Sequence, residues 1–411
     1  MSKERQIKQY ANLWVRVGGN VQPGELVIIT ADVRAARFAR YVQTAAYRAG
    51  AGEVHIVYED EQAQQEWYQR SLPETFETYP DWQVQRFAQW DAQGAVYLHL
   101  SLGASNLPAE VNLINRDTYR KAKATATQAH YSRTGSYQNR WSILALPNLD
   151  WARQVFPNTH DKVALARLWK QVLIATRADG RDPIVTWEAH NQALLNRRQR
   201  LNDSQLVSLH FSNDLGTALT VGLPKNHVWI GGPVKSAEGD IDFCPNIPTE
   251  ELFTAPHRDQ VHGRIVATKP LVYLGQVIEG MVLHLTAGVI TDWTATTGQE
   301  ALGKLITTDA GSNRLGEVAL VPQSSPLARL NTLFYHTLFD ENTCCHLAFG
   351  RAYATNLEGG ATMTRQALET HGLNNSSIAV NFVFGSDDMS VTGTLASGEQ
   401  LPLMEDGDFC F

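Results

Sequence analysis

A strand, a helix and a second strand follow one another closely near the N-terminus, and this succession limits the fold more than any other feature. Residues 26–29 are a short apolar run typical of a buried strand. Apolar residues from Phe38 to Ala46 then recur at the spacing of one helix face, and residues 54–58 form the next strand-like run. Because parallel strands need a crossover that is usually a helix, this spacing predicts a βαβ unit with a parallel sheet.

The first half of the chain continues the same alternation. Gly50-Ala51-Gly52 ends the helix between these strands, and we interpret this GxG sequence as a helix C-cap rather than a nucleotide-binding turn. The further elements predicted before residue 206 are two buried strands at residues 95–100 and 141–146, and three helical stretches at about residues 6–17, 109–128 and 162–200.

From about residue 206 the pattern changes to short strands separated by turns. These strands are predicted at residues 206–211, 219–223, 265–273 and 282–285. We therefore predict two domains, of fold class α/β and α+β. Residues 1–215 form an N-terminal α/β domain with a largely parallel sheet, and residues 216–411 form a C-terminal mixed α+β domain that holds the candidate metal site described below.

Composition and charge exclude several kinds of partner. The chain has 411 residues, of which 43% are hydrophobic and 19% charged, and its net charge is −7. Lys and Arg form no basic stripe, so nucleic acid is not expected as a partner. No segment reaches about 18 uninterrupted apolar residues and the N-terminus lacks a signal-peptide pattern, so no membrane association is expected. Four cysteines without CxxC spacing indicate a reduced, cytoplasmic chain.

Acidic residues in two segments are the first candidates for chemistry. Glu317 lies in the apolar run of residues 316–322, where a buried carboxylate is costly unless it is paired, protonated or bound to a cation. The alternative is an edge strand on which Glu317 faces water. Glu250 follows a proline-containing turn and is a candidate metal ligand. Thr249 could instead be the N-cap of a helix that has acidic residues in its first turn.

A histidine and a tyrosine complete the candidate site. His346 and Tyr353 are polar groups among apolar residues, downstream of Glu341. A single histidine in such surroundings is more often a hydrogen-bonded core residue, but the neighbouring carboxylates favour a metal site. Imidazole nitrogen together with carboxylate oxygen suits zinc, cobalt or manganese. We do not expect Cys344 or Cys345 as ligands, because adjacent residues rarely reach the same ion.

Four sequence blocks contain these candidates: NIPTEELFTAP, GEVALVP with the Ser-Pro pair that follows it, TLFDEN and HLAFGRAY. Together they resemble the thermophilic metallo-aminopeptidase family of the aminopeptidase T, AmpS and PepS type. The resemblance extends over nearly the whole chain. It implies a metallo-exopeptidase that acts on short peptides and has a pair of divalent ions in its C-terminal domain. It also implies a homodimer whose sites face an internal cavity.

The resemblance also implies roles for individual residues. Matching positions give Glu250, Glu317 and His346 as metal ligands. Glu317 also matches the position that orients or deprotonates the attacking water. Tyr353 matches the residue that helps to stabilise the tetrahedral intermediate. Two ions would bind the free amine and the scissile carbonyl of the substrate and would lower the pKa of a bridging water.

The last block departs from the family pattern. Where the family has Ser-x-x-His-x-Asp, this chain reads SSIAVN, with Ala379 and Asn381 in place of the histidine and the aspartate. Alanine cannot bind a metal, and asparagine keeps an oxygen but not the charge. Because two ions need more ligands than remain, one ion is favoured over two. Neighbours in the sequence that could supply a further ligand are Glu341, His371, Asp387 and Asp388.

Three functions are compatible with these residues. The first is an aminopeptidase that releases N-terminal residues from short peptides, and we favour it. The second is a catalytically silent or impaired relative that binds peptide or acts as a dimeric scaffold. The third is a different reaction on the same fold, such as the hydrolysis of a particular amide. The amount of bound metal distinguishes the first from the second.

Overall fold

The computed structural model of the protein describes residues 3–103 and 112–411. The chain divides into two compact units. One consists of Met1–Ala189 and Pro233–Pro248, and the other of His190–Gly232 and Thr249–Phe411. The single boundary between residues 215 and 216 stays a prediction. In this division the chain enters the second unit at His190, returns to the first at Pro233 and enters the second again at Thr249.

The helices of the described residues agree in position with most of the predicted ones. In chain order they are α1 Lys3–Leu13, α2 Ala36–Ala49, α3 Glu61–Arg70, α4 Asp81–Ala92, α5 Leu113–Ala126, α6 Gln128–Gly135, α7 Leu149–Val155, α8 Asp161–Ala175, α9 Pro183–Ser204, α10 Gln299–Ile306, α11 Pro326–Arg329, α12 Thr337–Asp340 and α13 Arg365–Thr370. The start of the helix predicted at residues 109–128 lies outside the described residues. The stretch predicted as helical at residues 162–200 is two helices, α8 and α9, separated by a turn.

The strands are mostly short. In chain order they are β1 Leu26–Asp32, β2 Glu53–Glu59, β3 Val96–Leu102, β4 Trp141–Leu146, β5 Leu206–Ser212, β6 Ala218–Gly222, β7 Val234–Lys235, β8 Asp242–Phe243, β9 Asn246–Ile247, β10 Leu252–Thr254, β11 Val261–Val266, β12 Leu271–Tyr273, β13 Gln276–Ile278, β14 Val282–Thr286, β15 Val289–Thr294, β16 Leu315–Leu320, β17 His346–Gly350, β18 Ala379–Val383, β19 Ser390–Leu395, β20 Gln400–Glu405 and β21 Asp408–Phe409.

The first unit contains the predicted parallel sheet. Its strand order is β2, β1, β3, β4 and β9, and every neighbouring pair is parallel. Helix α2 connects β1 to β2, as the strand–helix–strand pattern predicts. Gly50 ends that helix in the left-handed conformation, with φ 102°, and its N–H donates to the carbonyl of Tyr47 at 3.0 Å. A C-cap in this conformation favours glycine because it has no Cβ.

The second unit contains the mixed and antiparallel part of the fold. An eight-stranded antiparallel sheet has the order β15, β14, β11, β6, β5, β19, β20 and β21. The strand predicted at residues 265–273 is instead two elements, since β11 ends at Val266 and β12 begins at Leu271. Within residues 3–103 and 112–411, no helix has both the length and the apolar composition needed to cross a membrane.

A second, four-stranded antiparallel sheet in this unit carries the candidate site. Its order is β10, β16, β17 and β18. Successive residues of a strand point to opposite faces. Leu347 and Phe382, which pair across β17 and β18, are buried in the hydrophobic core of the unit. Glu317, Ala348 and Asn381 pair across β16, β17 and β18, so they share the opposite face.

Candidate metal centre

Glu317 is buried in a central strand. β16 has β10 on one side and β17 on the other, and the Glu317 side chain is only 5% exposed. The alternative of an edge strand in water is therefore wrong. A bulge in the β16–β17 pairing falls at Gly316, where a Cβ atom would collide with the carbonyl groups of Gly350 and Arg351. Glycine at this position lets the backbones approach closely beside the carboxylate.

His346 meets two carboxylates at the beginning of β17. Its side chain is fully buried, and its Nε2 atom lies 3.1 Å from Oε1 of Glu317 and 3.3 Å from Oε2 of Glu251. One ligand atom from each of the three residues lies within 4.8 Å of the others. The structure thus brings together the predicted Glu317 and His346.

The glutamate that joins them is Glu251, and Glu250 lies elsewhere. Oε2 of Glu250 is 3.8 Å from Nε2 of His190, and the backbone N–H of Glu250 donates to Oδ1 of Asn342 at 2.7 Å. Strand alternation explains the difference. Phe253 in β10 pairs with Ala319 in β16, and Ala319 lies on the same face of the sheet as Glu317. Two residues earlier, Glu251 points to that face and Glu250 away from it. Counting back from the strand Leu252–Thr254 identifies Glu251 once the pairing of this strand with β16 is known.

The segment before β10 is extended, and no helix begins at Thr249. The alternative interpretation of this segment as a helix start, with Thr249 as the N-cap, is therefore wrong. Thr249 instead contributes its backbone carbonyl, which lies 2.8 Å from Nε2 of His190. Both glutamates that follow are buried, which is consistent with an extended segment inserted among other elements rather than a solvated helix terminus.

Burial and mutual interaction shift the pKa values of the site. Burial, partly offset by His346 and reinforced by Glu317, raises the pKa of Glu251 to about 7. Burial and the neighbouring Glu251 raise the pKa of Glu341 well above its usual value. Burial disfavours the charged form of His346, but the hydrogen bond with Glu317 and the surrounding carboxylates raise its pKa to about 9. Three carboxyl groups crowd one imidazole, and the raised pKa values of Glu251 and Glu341 mean that their charged forms are disfavoured unless a cation is present.

Glu341 and Asn381 form the side of the site that β18 faces. Nδ2 of Asn381 donates to Oε2 of Glu341 at 3.1 Å. Ala379, two residues before Asn381, is exposed and pairs with Gly350. The two positions at which the resemblance implies a histidine and an aspartate therefore lie on the face of Glu317, as strand alternation predicts. Together they offer one amide side chain, but neither a carboxylate nor an imidazole nitrogen.

Tyr353 lies at the rim. Its side chain is about half exposed, and its ring centroid is 6.1 Å from that of Phe253. Desolvation, with the negative charges of Glu317 and Glu341 in support, raises the pKa of Tyr353 to about 12. The phenol is therefore protonated at neutral pH and can donate a hydrogen bond.

The remaining candidates lie away from the three converging ligands. Sγ of Cys345 is within hydrogen-bond reach of the backbone of Val321 and of Sδ of Met404. His371 is exposed at the end of α13, and Asp387 is exposed beyond β18. Asp388 accepts hydrogen bonds in the turn that follows β18.

The spacing of the three converging atoms fits a small divalent cation. In tetrahedral coordination with metal–ligand distances of about 2.0–2.2 Å, ligand atoms lie about 3.3–3.6 Å apart. The separations of 3.1 and 3.3 Å around Nε2 of His346 are close to this range. Nδ1 of His346 is buried and has no hydrogen-bond partner among the described residues, so only Nε2 makes polar contacts. Imidazole nitrogen and carboxylate oxygen are ligands suited to zinc, cobalt and manganese.

Fold and site together define a candidate metal-dependent hydrolase, and comparisons with known proteins agree. The model of the thermophilic metalloprotease (M29) family matches residues 3–409. Aminopeptidase 2 of Geobacillus stearothermophilus is 38% identical over 408 residues, which cover 99% of this chain and 98% of that protein. Aminopeptidase T of Thermus thermophilus is 38% identical over 409 residues, which cover 98% of each chain.

A solved structure extends this agreement to three dimensions. Wild-type AmpT from Thermus thermophilus superposes with a TM-score of 0.89 at 36% sequence identity, over 100% of both chains. The chain therefore belongs to the M29 family of thermophilic metalloproteases, and its relatives are aminopeptidases. The fold predicted from the sequence, an α/β part with a parallel sheet followed by a mixed α+β part, is confirmed.

Proposed function

We propose that this protein is a metal-dependent aminopeptidase that releases N-terminal residues from short peptides. The observation that carries the proposal is the convergence of Glu251, Glu317 and His346 within 4.8 Å on one face of a sheet. Membership of a metalloprotease family and relatives named as aminopeptidases support it.

The chain's own side chains divide the work of such a reaction. Glu251, Glu317 and His346 would hold a divalent ion, and we propose Glu251 rather than Glu250 for this role because of its position beside His346. When bound, the ion would supply Lewis acidity and would lower the pKa of a water ligand. Glu317 would orient the attacking water and accept its proton.

The phenol of Tyr353 has a separate role in this proposal. It would donate a hydrogen bond to the oxygen that becomes negatively charged in the tetrahedral intermediate. A partly exposed position and a raised pKa suit that role, because the group stays protonated and is accessible from outside the site.

We further propose that one ion, zinc, cobalt or manganese, is bound more tightly than any second. Ala379 has no donor atom, and the amide nitrogen of Asn381 is directed at Glu341. A second ion would therefore depend on Glu341 and solvent for its ligands. The cytoplasmic location indicated by the cysteines and the homodimer implied by the family resemblance stay predictions.

The changes at Ala379 and Asn381 also favour a second candidate function. A relative that has lost tight metal binding would be catalytically silent and would act by binding peptide or as a dimeric scaffold. The test is to strip the protein of metal, to reconstitute it separately with zinc, cobalt and manganese, and to measure both bound metal and the hydrolysis of an aminoacyl-anilide. At least one tightly bound ion with turnover supports the aminopeptidase. Absence of bound metal under all three conditions supports the silent relative.

A further inference from the structure

The second unit contains a cavity of about 770 Å³ next to the site's sheet. Its wall includes Gln323, Cys344 and Gly385, which continue three strands of that sheet beyond their ends. Gln323 follows β16, Cys344 precedes β17 and Gly385 follows β18. The volume is in the range of about 300–1,000 Å³ that is typical of sites for small ligands.

The cavity begins about two residues from the metal-binding histidine. Cys344 has an extended backbone, with φ −158° and ψ 168°, and lies two residues before His346. Strand alternation therefore directs both side chains to the same face, and two residues of extended chain span about 6.6 Å. Nε2 of Gln323 donates to Sγ of Cys344 at 3.2 Å, which joins the two strand extensions in one wall.

This distance matches the length of a short peptide. When a tripeptide is cleaved after its first residue, its C-terminal carboxylate lies two residues beyond the scissile bond, about 7 Å in an extended chain. The carboxylate of a tripeptide whose scissile bond lies beside His346 would therefore reach the cavity. Longer peptides would carry their carboxylate past this region.

Lys269 provides a positive charge in the cavity wall. Its side chain is half-buried and its Nζ atom donates to Oγ1 of Thr343 at 2.7 Å. Lys269 interacts electrostatically with Asp340, where it partly offsets the burial that raises the pKa of that carboxyl group to about 6, but no carboxylate of residues 3–103 and 112–411 lies within 4.0 Å of the ammonium group. The backbone N–H of Thr268 donates to the carbonyl of Val383 at 3.0 Å, and Val383 pairs with His346. An ammonium group has three donors, so Lys269 retains two for an anion that would offset the cost of its burial.

None of the four aspartates of the wall forms an ion pair with this lysine within 4.0 Å. Asp388 accepts a hydrogen bond from the backbone N–H of Asp214 at 2.6 Å, and Asp408 accepts one from a backbone N–H at 2.8 Å. Asp387 and Asp214 are exposed, and the exposed Arg329 adds a second positive charge to the wall. Of the two cations in the wall, Lys269 is the one whose neighbour, Thr268, is hydrogen-bonded to β18, the strand that pairs with β17.

We propose that this cavity receives the C-terminal end of a short peptide substrate and that Lys269 binds its free carboxylate. The inference rests on the proposed aminopeptidase function. It gives a physical reason for a preference for short peptides, because only they place a carboxylate at the correct distance from the site. It also makes Lys269 a specificity-determining residue that has no part in the chemical step.

The test compares Leu-Gly-Gly with Leu-Gly-Gly-amide, which differ only in the terminal charge. For metal-reconstituted protein we expect kcat/KM to be about tenfold higher for the free acid, mainly through KM. Lys269→Met should bring the ratio of the two values close to one, and Lys269→Arg should retain most of it. Lys304→Met, which removes an exposed lysine on α10, is the matched control and should leave the ratio unchanged.

A binding measurement separates this inference from the proposed function. Calorimetry on metal-free protein should give tighter binding of the acid than of the amide, with the difference lost in Lys269→Met. Equal binding of the two peptides by the parent protein, or a preference that survives in a folded Lys269→Met variant, would overturn the inference. Absence of hydrolysis with all three metals, together with a binding preference that depends on Lys269, would instead refute the aminopeptidase function alone.

Discussion

At the scale of single residues, strand alternation decides which of two adjacent glutamates reaches the histidine. Glu251 lies 3.3 Å from His346, whereas Glu250 is directed towards His190. Both glutamates are buried, so burial alone does not identify the ligand. The pairing of β10 with β16 does, because it fixes the side of the sheet to which each carboxylate points.

The pair Glu251 and Glu250 offers a matched test. We expect Glu251→Gln to weaken metal binding about a hundredfold or more, since it removes a charged ligand and leaves Glu317 as the carboxylate in direct contact with Nε2 of His346. Glu250→Gln should change metal affinity by less than about tenfold, because its carboxylate lies beside His190. Calorimetric titration with zinc measures both values. A larger loss from Glu250→Gln than from Glu251→Gln would contradict our assignment.

Much of the fold could be predicted from sequence because its signals are local. Periodicity predicted the βαβ unit around Gly50, where helix, cap and strands are close in the chain. Glu317 and His346 also stood out, because a polar group in an apolar strand needs a partner. The choice between Glu250 and Glu251 could not be made in this way, because it depends on pairing with a strand more than sixty residues later.

At the scale of elements, β18 determines how many ligands the sheet offers. It presents Ala379 and Asn381 on the face that carries Glu317, and Asn381 is bonded to Glu341. The strand itself is intact: it pairs with β17 over all five of its residues. The departure from the pattern that the resemblance implies therefore concerns side-chain chemistry and not the backbone that positions it.

Introducing on β18 the two residues that the resemblance implies should allow a second ion to bind. We expect Ala379→His with Asn381→Asp to raise bound metal from about one to two ions per chain and to increase turnover. Without metal the new aspartate would lie beside Glu341, so like-charge repulsion should lower the melting temperature in chelator. Elemental analysis and melting curves with and without zinc measure these effects. Asn381→Ala is the control, and unchanged stoichiometry in the double variant would show that β18 does not limit metal binding.

The loop that leads into β18 is held by Asp309. Its carboxylate accepts hydrogen bonds from the backbone N–H groups of Gly311 at 2.9 Å and Ser377 at 2.7 Å, and from the hydroxyl groups of Ser376 and Ser377. Partial desolvation opposes the charged form, but these hydrogen bonds hold the pKa of Asp309 well below its usual range. The carboxylate therefore holds in place the loop that leads into β18, the strand that carries Ala379 and Asn381.

A pH series tests this role. Because the pKa of Asp309 is depressed in the folded state, its stabilisation is present above the unfolded pKa of about 3.9 and is lost as the pH falls towards the lower folded value. Asp309→Asn should lower the melting temperature by about 2–4 °C at pH 7, and the difference from the parent should shrink below about pH 4. Asp292→Asn, at an exposed position on β15, is the control. A difference that is constant from pH 7 to pH 3 would mean that the charge of Asp309 does not matter.

At the scale of the whole molecule, the three proposed ligands all belong to one of the two compact units. Glu251, Glu317 and His346 lie within His190–Gly232 and Thr249–Phe411, and the parallel sheet belongs to the other unit. The same unit holds the cavity that contains Lys269. The proposed metal binding and peptide binding therefore both fall in the second unit, and their effect on stability should be found there first.

Hydrogen exchange and thermal unfolding together test that localisation. A ligand present at 100 times its dissociation constant stabilises the form that binds it by about 2.7 kcal/mol, which corresponds to a rise of roughly 5–10 °C in the melting temperature of a unit of this size. We expect zinc to produce such a rise in metal-stripped protein and to slow exchange at the amides of β16 and β17, with little change in β1–β4 of the parallel sheet. Glu317→Gln should abolish most of the rise, since it removes a ligand from the centre of the site. If zinc shifts neither the melting temperature nor exchange in β16 and β17, the three residues do not form a metal site, and the catalytically silent relative becomes the better account of this chain.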